Sequence, residues 1–318
     1  MRDQKIKTFY KDKQVCFDSI REKSFSQSPL KPALLINKIL NGKYRDMIDI
    51  VDDFSPISKV DYLLAHSEEY INCVFNKTGK YNSNGLPWSQ NLVDSLPYTT
   101  GSLYNASKYA ILNPQTVCFA PVSGMHHATP EYGSGFCTFS GQVVSAIKIY
   151  QEYGKTCAYL DLDGHYGNSI EDTRDFNPTL NKAIPKGFNF NPGGRNEIYI
   201  EDLKGNLKIL ARAIRLGKID YVVFAHGADS HDQDDLGGYM NTNCWVRCAE
   251  VFSQWINDIS QEIGRPLPVV LALFGGYRKD DYEAVLDLHT KSLIRCSNII
   301  CGNIYVDDLE ISQRKNKW

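Results

Sequence analysis

The chain has 318 residues, of which 42% are hydrophobic and 23% charged, and its formal net charge at pH 7 is -2. Such a chain can bury a large core, and its near-neutral charge argues against nucleic-acid binding, which normally shows as a basic surface. The amino terminus lacks the apolar core of a signal peptide, and no run of about 18 apolar residues could span a membrane. We therefore expect a cytoplasmic protein that binds neither nucleic acid nor a membrane.

Short apolar runs alternate with amphipathic stretches, a pattern typical of parallel strands joined by helices. The sequence predicts helices at Gly101 to Leu112, Gln142 to Tyr153, Asp202 to Leu216, Cys244 to Ile263 and Asp281 to Ile294. Two segments rich in Asn, Gly and Pro, 76–97 and 172–195, are predicted to be irregular and to build the rim of a site. No linker is evident, so we expect a single domain over residues 1–318.

Four apolar, β-branched runs end abruptly in residues suited to binding a metal or moving a proton. They are TVCFAPVSGMHH (116–127), AYLDLDGH (158–165), YVVFAHGAD (221–229) and VVLALFGGY (269–277). Because the carboxyl ends of parallel strands form one edge of a sheet, we expect these endings to converge on a single crevice. The sequence therefore predicts an α/β fold with one site at that edge.

Asp163 and His165 lie one residue apart just after a predicted strand, so both side chains can point to the same side of an extended backbone. Asp229, at the next strand ending, completes a set of two carboxylates and one imidazole. Three protein ligands and an open position are how catalytic zinc is held. Iron(II), manganese and cobalt also suit these ligands, so the metal stays open.

Adjacent His126 and His127 follow a Ser-Gly turn at the mouth of the predicted crevice. An imidazole has the pKa that a general base needs, and Asp161 and Asn168 are available to fix the ring tautomers. Tyr277 follows Phe-Gly-Gly, a turn that lets a phenol reach a bound substrate and donate to an oxyanion.

Together these motifs resemble the zinc-dependent histone deacetylase and acetylpolyamine amidohydrolase family of the arginase–deacetylase superfamily. The matching stretches are HSEEYI (66–71), SGMHHA (123–128), GSGFCTFSG (133–141), DLDGHYGNSIED (161–172), GADSHDQDDLGG (227–238) and GGY (275–277). The resemblance implies a three-layer α/β/α fold with a central, mostly parallel sheet. It also implies metal ligation by Asp163, His165 and Asp229, pairing of His126 with Asp161, and a structural potassium ion held largely by backbone carbonyls near Asp161, Asp163 and His165.

The same resemblance implies that His127 is the general base and that Tyr277 polarises the scissile carbonyl. Gly135 and Phe136 would line the tunnel that admits the acylated side chain. A second tunnel aromatic is expected from the segment 186–195, where either Phe188 or Phe190 could serve.

Three positions depart from the family pattern. Tyr166 stands where a second histidine usually follows the ligand histidine, Asn168 where some members have Asp, and Phe274 within the usual run of glycines before the tyrosine. None of these changes removes a reacting group. Near residues 96–98 the rim acid that some members use to grip the substrate backbone is missing.

The predicted reaction is metal-assisted hydrolysis of the amide of an acylated lysine in a protein or peptide. Acetylated polyamines are the alternative substrates. A catalytically silent acyl-lysine binding module would be expected to lack a reacting group, and all are present. An arginase-like dinuclear manganese hydrolase would need bridging aspartates, which Gly164, Tyr166 and Asn168 do not supply.

Overall fold

The computed structural model describes residues 2–18 and 25–311. Seven parallel strands form one sheet with the order β2-β1-β3-β7-β6-β4-β5. The strands are β1 (Ile6–Phe9), β2 (Ile48–Val51), β3 (Val117–Ala120), β4 (Cys157–Asp161), β5 (Asn189–Phe190), β6 (Tyr221–Ala225) and β7 (Val269–Ala272). The predicted α/β class and the parallel sheet are confirmed.

Helices cover both faces of this sheet. The α-helices are α1 (Lys31–Asn41), α2 (Glu68–Asn76), α3 (Gln90–Leu112), α4 (Gly141–Tyr153), α5 (Ser169–Thr173), α6 (Leu180–Ala183), α7 (Glu197–Arg215), α8 (Thr242–Glu262) and α9 (Tyr282–Ile300). One core contains buried residues of α1, α7, α8 and α9, and the other contains those of α2 to α6. Side chains of strand β3 alternate between the two cores: Val117 and Phe119 pack in the first, and Cys118 and Ala120 pack in the second. The three-layer arrangement follows from this alternation.

The central strands β3, β7, β6 and β4 are the four apolar runs of the sequence. Each is buried along its whole length, as expected for strands covered on both faces. Val269 is in register with Val117 on one side and Val222 on the other, which brings the four carboxyl ends level with one another. The polar residues that follow these strands therefore lie at one edge of the sheet.

The prediction that residues 76–97 are irregular was wrong at its end. Helix α3 begins at Gln90, after Ser89 accepts a hydrogen bond from the amide of Leu92 at 3.1 Å, and Pro97 lies inside the helix. The carbonyl of Pro97 bonds the amide of Ile57 at 3.1 Å, so tertiary contacts hold a helix that the proline argued against. The segment 172–195 likewise contains α6 and β5.

In the ranges 2–18 and 25–311, none of the helices is long and apolar enough to cross a membrane. All nine cysteines are free, and all but Cys73 are buried. Burial suits a thiol that packs as a small apolar side chain.

Candidate metal and catalytic site

Asp163, His165 and Asp229 converge at the carboxyl edge of the sheet. His165 Nδ1 lies 3.2 Å from Asp163 Oδ1 and 3.0 Å from Asp229 Oδ2. One ligand atom from each residue lies within 4.8 Å of the others. Both carboxylates are buried and His165 is half-buried, so the cluster is open on the imidazole side.

Backbone amides and glycines shape the space around the two carboxylates. The amide of Gly275 donates to Asp163 Oδ2 at 2.7 Å, and that of Gly164 donates to Asp229 Oδ1 at 2.9 Å. A Cβ at Gly275 would lie 2.1 Å from Asp229 Oδ2 and 2.6 Å from Asp163 Oδ2, so any other residue would fill the cradle. The oxygen–nitrogen–oxygen donor set and this glycine-lined cradle fit a divalent cation.

The tautomer of His165 is set by its outer nitrogen. Nε2 lies 3.1 Å from the carbonyl oxygen of Leu236 and donates to it, so in the neutral ring the lone pair is on Nδ1, the nitrogen that faces the carboxylates. Hydrogen bonds to Asp163 and Asp229 raise the pKa of His165 to about 11, because a proton on Nδ1 supplies the positive charge that the carboxylates favour. A metal ion bound there would take the place of this proton.

The two carboxylates interact as like charges. Burial, followed by the charge of Asp163, raises the pKa of Asp229 to about 7. Burial would also raise the pKa of Asp163, but the charge on His126 and the hydrogen bond from His165 lower it below its ordinary value. A pair of buried carboxylates so placed is stabilised by any cation between them.

His126 lies behind this cluster, fully enclosed. Its Nδ1 is 2.9 Å from Asp161 Oδ2, and its Nε2 is 3.5 Å from Asp163 Oδ1. Burial opposes the charged ring, but the carboxylates of Asp163 and Asp161 outweigh burial and raise the pKa of His126 to about 9.

His127 is more open and has a neutral partner. Its Nδ1 donates to Asn168 Oδ1 at 2.8 Å, and Asn168 Nδ2 donates in turn to Asp172 Oδ2 at 2.6 Å. Burial, assisted by the positive charge of His126, lowers the pKa of His127 to about 4. The two rings lie 4.1 Å apart, so one imidazole carries a proton while the other is free to accept one.

Tyr277 faces the same space. Its ring centroid lies 6.3 Å from that of His165, and its amide donates to Asp234 Oδ2 at 2.7 Å. Tyr277 is 8% exposed, and burial raises its pKa well above the ordinary value, so the hydroxyl keeps its proton and can act as a donor.

Gly135 and Phe136 lie beside these groups. A Cβ at Gly135, where φ is 51°, would come within 2.5 Å of His127 Cδ2, so a side chain there would collide with the imidazole. The ring of Phe136 lies 5.5 Å from that of Tyr277. The ring that stacks on Phe136 is Phe25, at 6.2 Å and with an interplanar angle of 4°.

The prediction that Phe188 or Phe190, in the segment 186–195, supplies a second aromatic to the substrate tunnel was wrong. Phe190 belongs to the buried core, and Phe188 packs edge-on against it at 5.9 Å. Asn189 and Asn191 bracket Gly167 instead, with Asn189 Nδ2 donating to the Gly167 carbonyl at 3.2 Å and Asn191 Oδ1 accepting from the Gly167 amide at 2.8 Å.

Sequence reasoning also missed Lys31, the first residue of α1. Its side chain is fully buried, and its ammonium donates to the carbonyl of Phe274. Burial lowers the pKa of Lys31 to about 8, against the opposing charges of Asp229, Asp163 and Asp234, so the side chain is still charged at neutral pH. A lone lysine before a proline carries no signal of burial.

Comparison with known proteins places this site in context. Residues 27–181 match the histone deacetylase domain model. An uncharacterized protein of Picosynechococcus is 25% identical over 246 residues, covering 70% of this chain and 77% of that protein. Rice histone deacetylase 10, chloroplastic, is 24% identical over 288 residues, covering 77% of this chain and 63% of the relative.

Two solved structures share the fold over nearly the whole chain. An acetylpolyamine aminohydrolase from Burkholderia pseudomallei superposes with a TM-score of 0.66 at 13% identity, covering 93% of this chain and 99% of that one. The HD domain of HDA15 superposes with a TM-score of 0.68 at 16% identity, covering 96% of this chain and 91% of that domain.

Proposed function

From the premise that this chain belongs to the histone deacetylase and acetylpolyamine amidohydrolase family, we propose that it is a metal-dependent deacetylase acting on acylated lysine side chains. The family comparisons support deacetylase activity in general. The observation that carries the finer proposal is the convergence of Asp163, His165 and Asp229 beside two imidazoles and a phenol. We treat residues 1–318 as one catalytic domain because the described strands form a single sheet.

Asp163, His165 and Asp229 would hold the catalytic cation, which we propose to be zinc. When bound there, such a cation would supply Lewis-acid chemistry, polarising an amide carbonyl and lowering the pKa of water from 15.7 towards about 7. His165 is the half-buried member of the cluster, so we expect a substrate to approach past its exposed face. A potassium ion near the backbone carbonyls of Asp161, Asp163 and His165 remains a prediction.

His127 is the proposed general base. Since its Nδ1 donates to Asn168, its Nε2 carries a lone pair that can accept a proton from water as it attacks the amide. The depressed pKa of His127 keeps this nitrogen unprotonated at neutral pH.

His126 complements that role with a retained proton. Its Nδ1 is fixed by Asp161, and the resulting positive charge lies 4.1 Å, ring to ring, from His127. That charge disfavours a second proton on His127, so a proton taken from water is readily passed on to the leaving amine.

Tyr277 is the proposed donor to the developing oxyanion. Its hydroxyl is neutral in its buried setting, and its backbone is anchored by Asp234. A donor fixed before reaction stabilises the transition state without reorganisation.

The rim favours acyl-lysine over a polyamine. The segment 76–97 contains Lys77 and Lys80 against one acid, Asp94, so it offers little negative potential to a polycation. Lys80 packs over Tyr132, and Lys279 packs over Phe25, which stacks on Phe136. The shared fold with an acetylpolyamine aminohydrolase keeps acetylated polyamines as the second candidate.

A substrate panel with metal analysis tests this proposal. The zinc-loaded protein is assayed with acetyl-lysine peptides, longer acyl-lysine peptides and acetylputrescine. Release of acid from an acyl-lysine peptide is the expected result, whereas faster turnover of acetylputrescine would shift the assignment to a polyamine enzyme. Binding of acylated peptide without release of acid would show a silent binding module.

A further inference from the structure

We propose that Lys31 is a positioning residue for Tyr277, and that its buried ammonium holds the turn that presents the phenol to substrate. This inference rests on the proposed deacetylase function for its kinetic consequences. Lys31 is the first residue of α1, and its hydrogen bond to the carbonyl of Phe274 joins residues that are 243 positions apart in the chain.

A fully buried lysine needs a structural reason, because removing an ammonium from water is strongly unfavourable unless charge and hydrogen bonds compensate. The compensation here comes from the metal-site side of the sheet. The carboxylates of Asp229, Asp163 and Asp234 favour the positive charge, and the Phe274 carbonyl accepts a hydrogen bond from Nζ.

Phe274 is the residue whose backbone this contact restrains. Its φ is 61°, a left-handed conformation that an aromatic residue rarely adopts and that is strained unless its surroundings hold it. Its carbonyl accepts from Ser123 Oγ at 2.8 Å as well as from Lys31, and its amide donates to Val122 at 3.1 Å. Its ring packs edge-on against His126 at 5.2 Å.

The restrained backbone leads directly into the reacting groups. The next amide, Gly275, donates to Asp163, and the amide of Tyr277 donates to Asp234, each at 2.7 Å. Lys31 Nζ also lies 5.8 Å from the centroid of the Tyr277 ring. One ammonium thus holds the start of the turn through the Phe274 carbonyl and also lies over the ring that the turn presents.

A double-mutant cycle separates this role from a general packing role. In Lys31→Met, kcat is expected to fall about tenfold to a hundredfold with KM little changed, since a displaced donor is lost to the transition state. In a Tyr277→Phe background, the same Lys31→Met change is expected to alter kcat less than about twofold, because the donor is already gone. Equal losses in both backgrounds would overturn the proposal.

Two variants accompany this cycle. Ser123→Ala removes the other side-chain donor to the Phe274 carbonyl and is expected to lower kcat about threefold to tenfold, the range for a single neutral hydrogen bond. Lys38→Met is the matched control, because Lys38 lies on the same helix but pairs with Glu283 and Asp287. Lys38→Met should keep the full kcat; a loss equal to that of Lys31→Met would count against a specific role.

Hydrogen exchange tests the positioning role without any substrate. The amides of Gly275 and Tyr277 should exchange at least about tenfold faster in Lys31→Met, with peptides from α8 unchanged. Unchanged exchange at both amides would refute the restraint. Faster exchange in a protein that hydrolyses no acyl-lysine would instead retain the restraint and reject the proposed function.

Discussion

Replacing Tyr277 with phenylalanine removes one hydroxyl from the proposed site and leaves the rest of the turn intact. The phenyl ring of the Tyr277→Phe variant would keep the packing now seen between Tyr277 and Phe136 at 5.5 Å, and the backbone bond to Asp234 does not depend on the side chain. The three proposed metal ligands are left unchanged. The substitution therefore isolates the donor.

The expected loss follows from the position of that hydroxyl. Tyr277 is 8% exposed, so water cannot readily replace the missing donor. Loss of one preorganised oxyanion donor costs about 2.7 to 4 kcal/mol, which is about a hundredfold to a thousandfold in kcat. KM should change little, because the interaction is made mainly in the transition state.

The assay compares kcat, KM and bound zinc for wild type and Tyr277→Phe on an acetyl-lysine peptide. We expect equal metal content and a large loss of kcat. If Tyr277→Phe retained the wild-type kcat at equal metal content, the oxyanion role of Tyr277 would be wrong.

Three further changes probe other parts of the site. Asn168→Ala should lower kcat about tenfold or more by freeing the His127 ring, whereas Asn168→Asp should restore an acceptor and most turnover; equal kinetics in the two variants would contradict the pairing. Gly135→Ala should cut kcat about a hundredfold because its Cβ would meet His127 at 2.5 Å; wild-type kinetics would show that the ring can move. His66 is buried, which lowers its pKa to about 3. Its neutral ring donates from Nδ1 to the carbonyl of Thr129 and accepts at Nε2 from the amide of Ser140, each at 2.8 Å. As pH falls below about 6.5 the ring takes up a proton in the unfolded chain before it does so in the folded protein. The contribution of His66 to the free energy of unfolding is therefore fully present above that pH and falls by about 1.4 kcal/mol per pH unit towards pH 3. Urea unfolding from pH 7 to 5 should show the dependence of this free energy on pH weakened in His66→Gln by the uptake of one proton, and an unchanged dependence would contradict the assignment.

The sequence predicted which residues gather at the carboxyl edge of the sheet better than it predicted the order of the strands. Four apolar runs ending in Asp, His and Tyr indicated where chemistry would gather, because the carboxyl ends of parallel strands share one edge. Their spatial order, β3-β7-β6-β4, is not their order in the chain, and short local patterns carry no information on it. Strand β1 is only four residues long and includes Lys7 and Thr8, so its apolar pattern was too weak to detect.

The parts of the site that sequence reasoning missed depend on tertiary context. Phe274 was noted only as an interruption of the glycine run before Tyr277, and its positive φ, held by contacts with Lys31, Ser123 and Val122, was not foreseen. Phe25 is stacked on Phe136 although it lies 111 positions away in the chain. The first turns of α3 were not predicted because Pro97 lies within them, and a proline inside a sequence usually indicates the end or interruption of a helix.

The central claim is that Asp163, His165 and Asp229 bind one divalent cation. Isothermal titration of the metal-free protein with zinc, followed by elemental analysis after dialysis, measures this directly. We predict one ion per chain for wild type and almost none retained by Asp229→Ala with its fold intact by circular dichroism. Two ions per chain in wild type, or full metal content in Asp229→Ala, would contradict the proposed site.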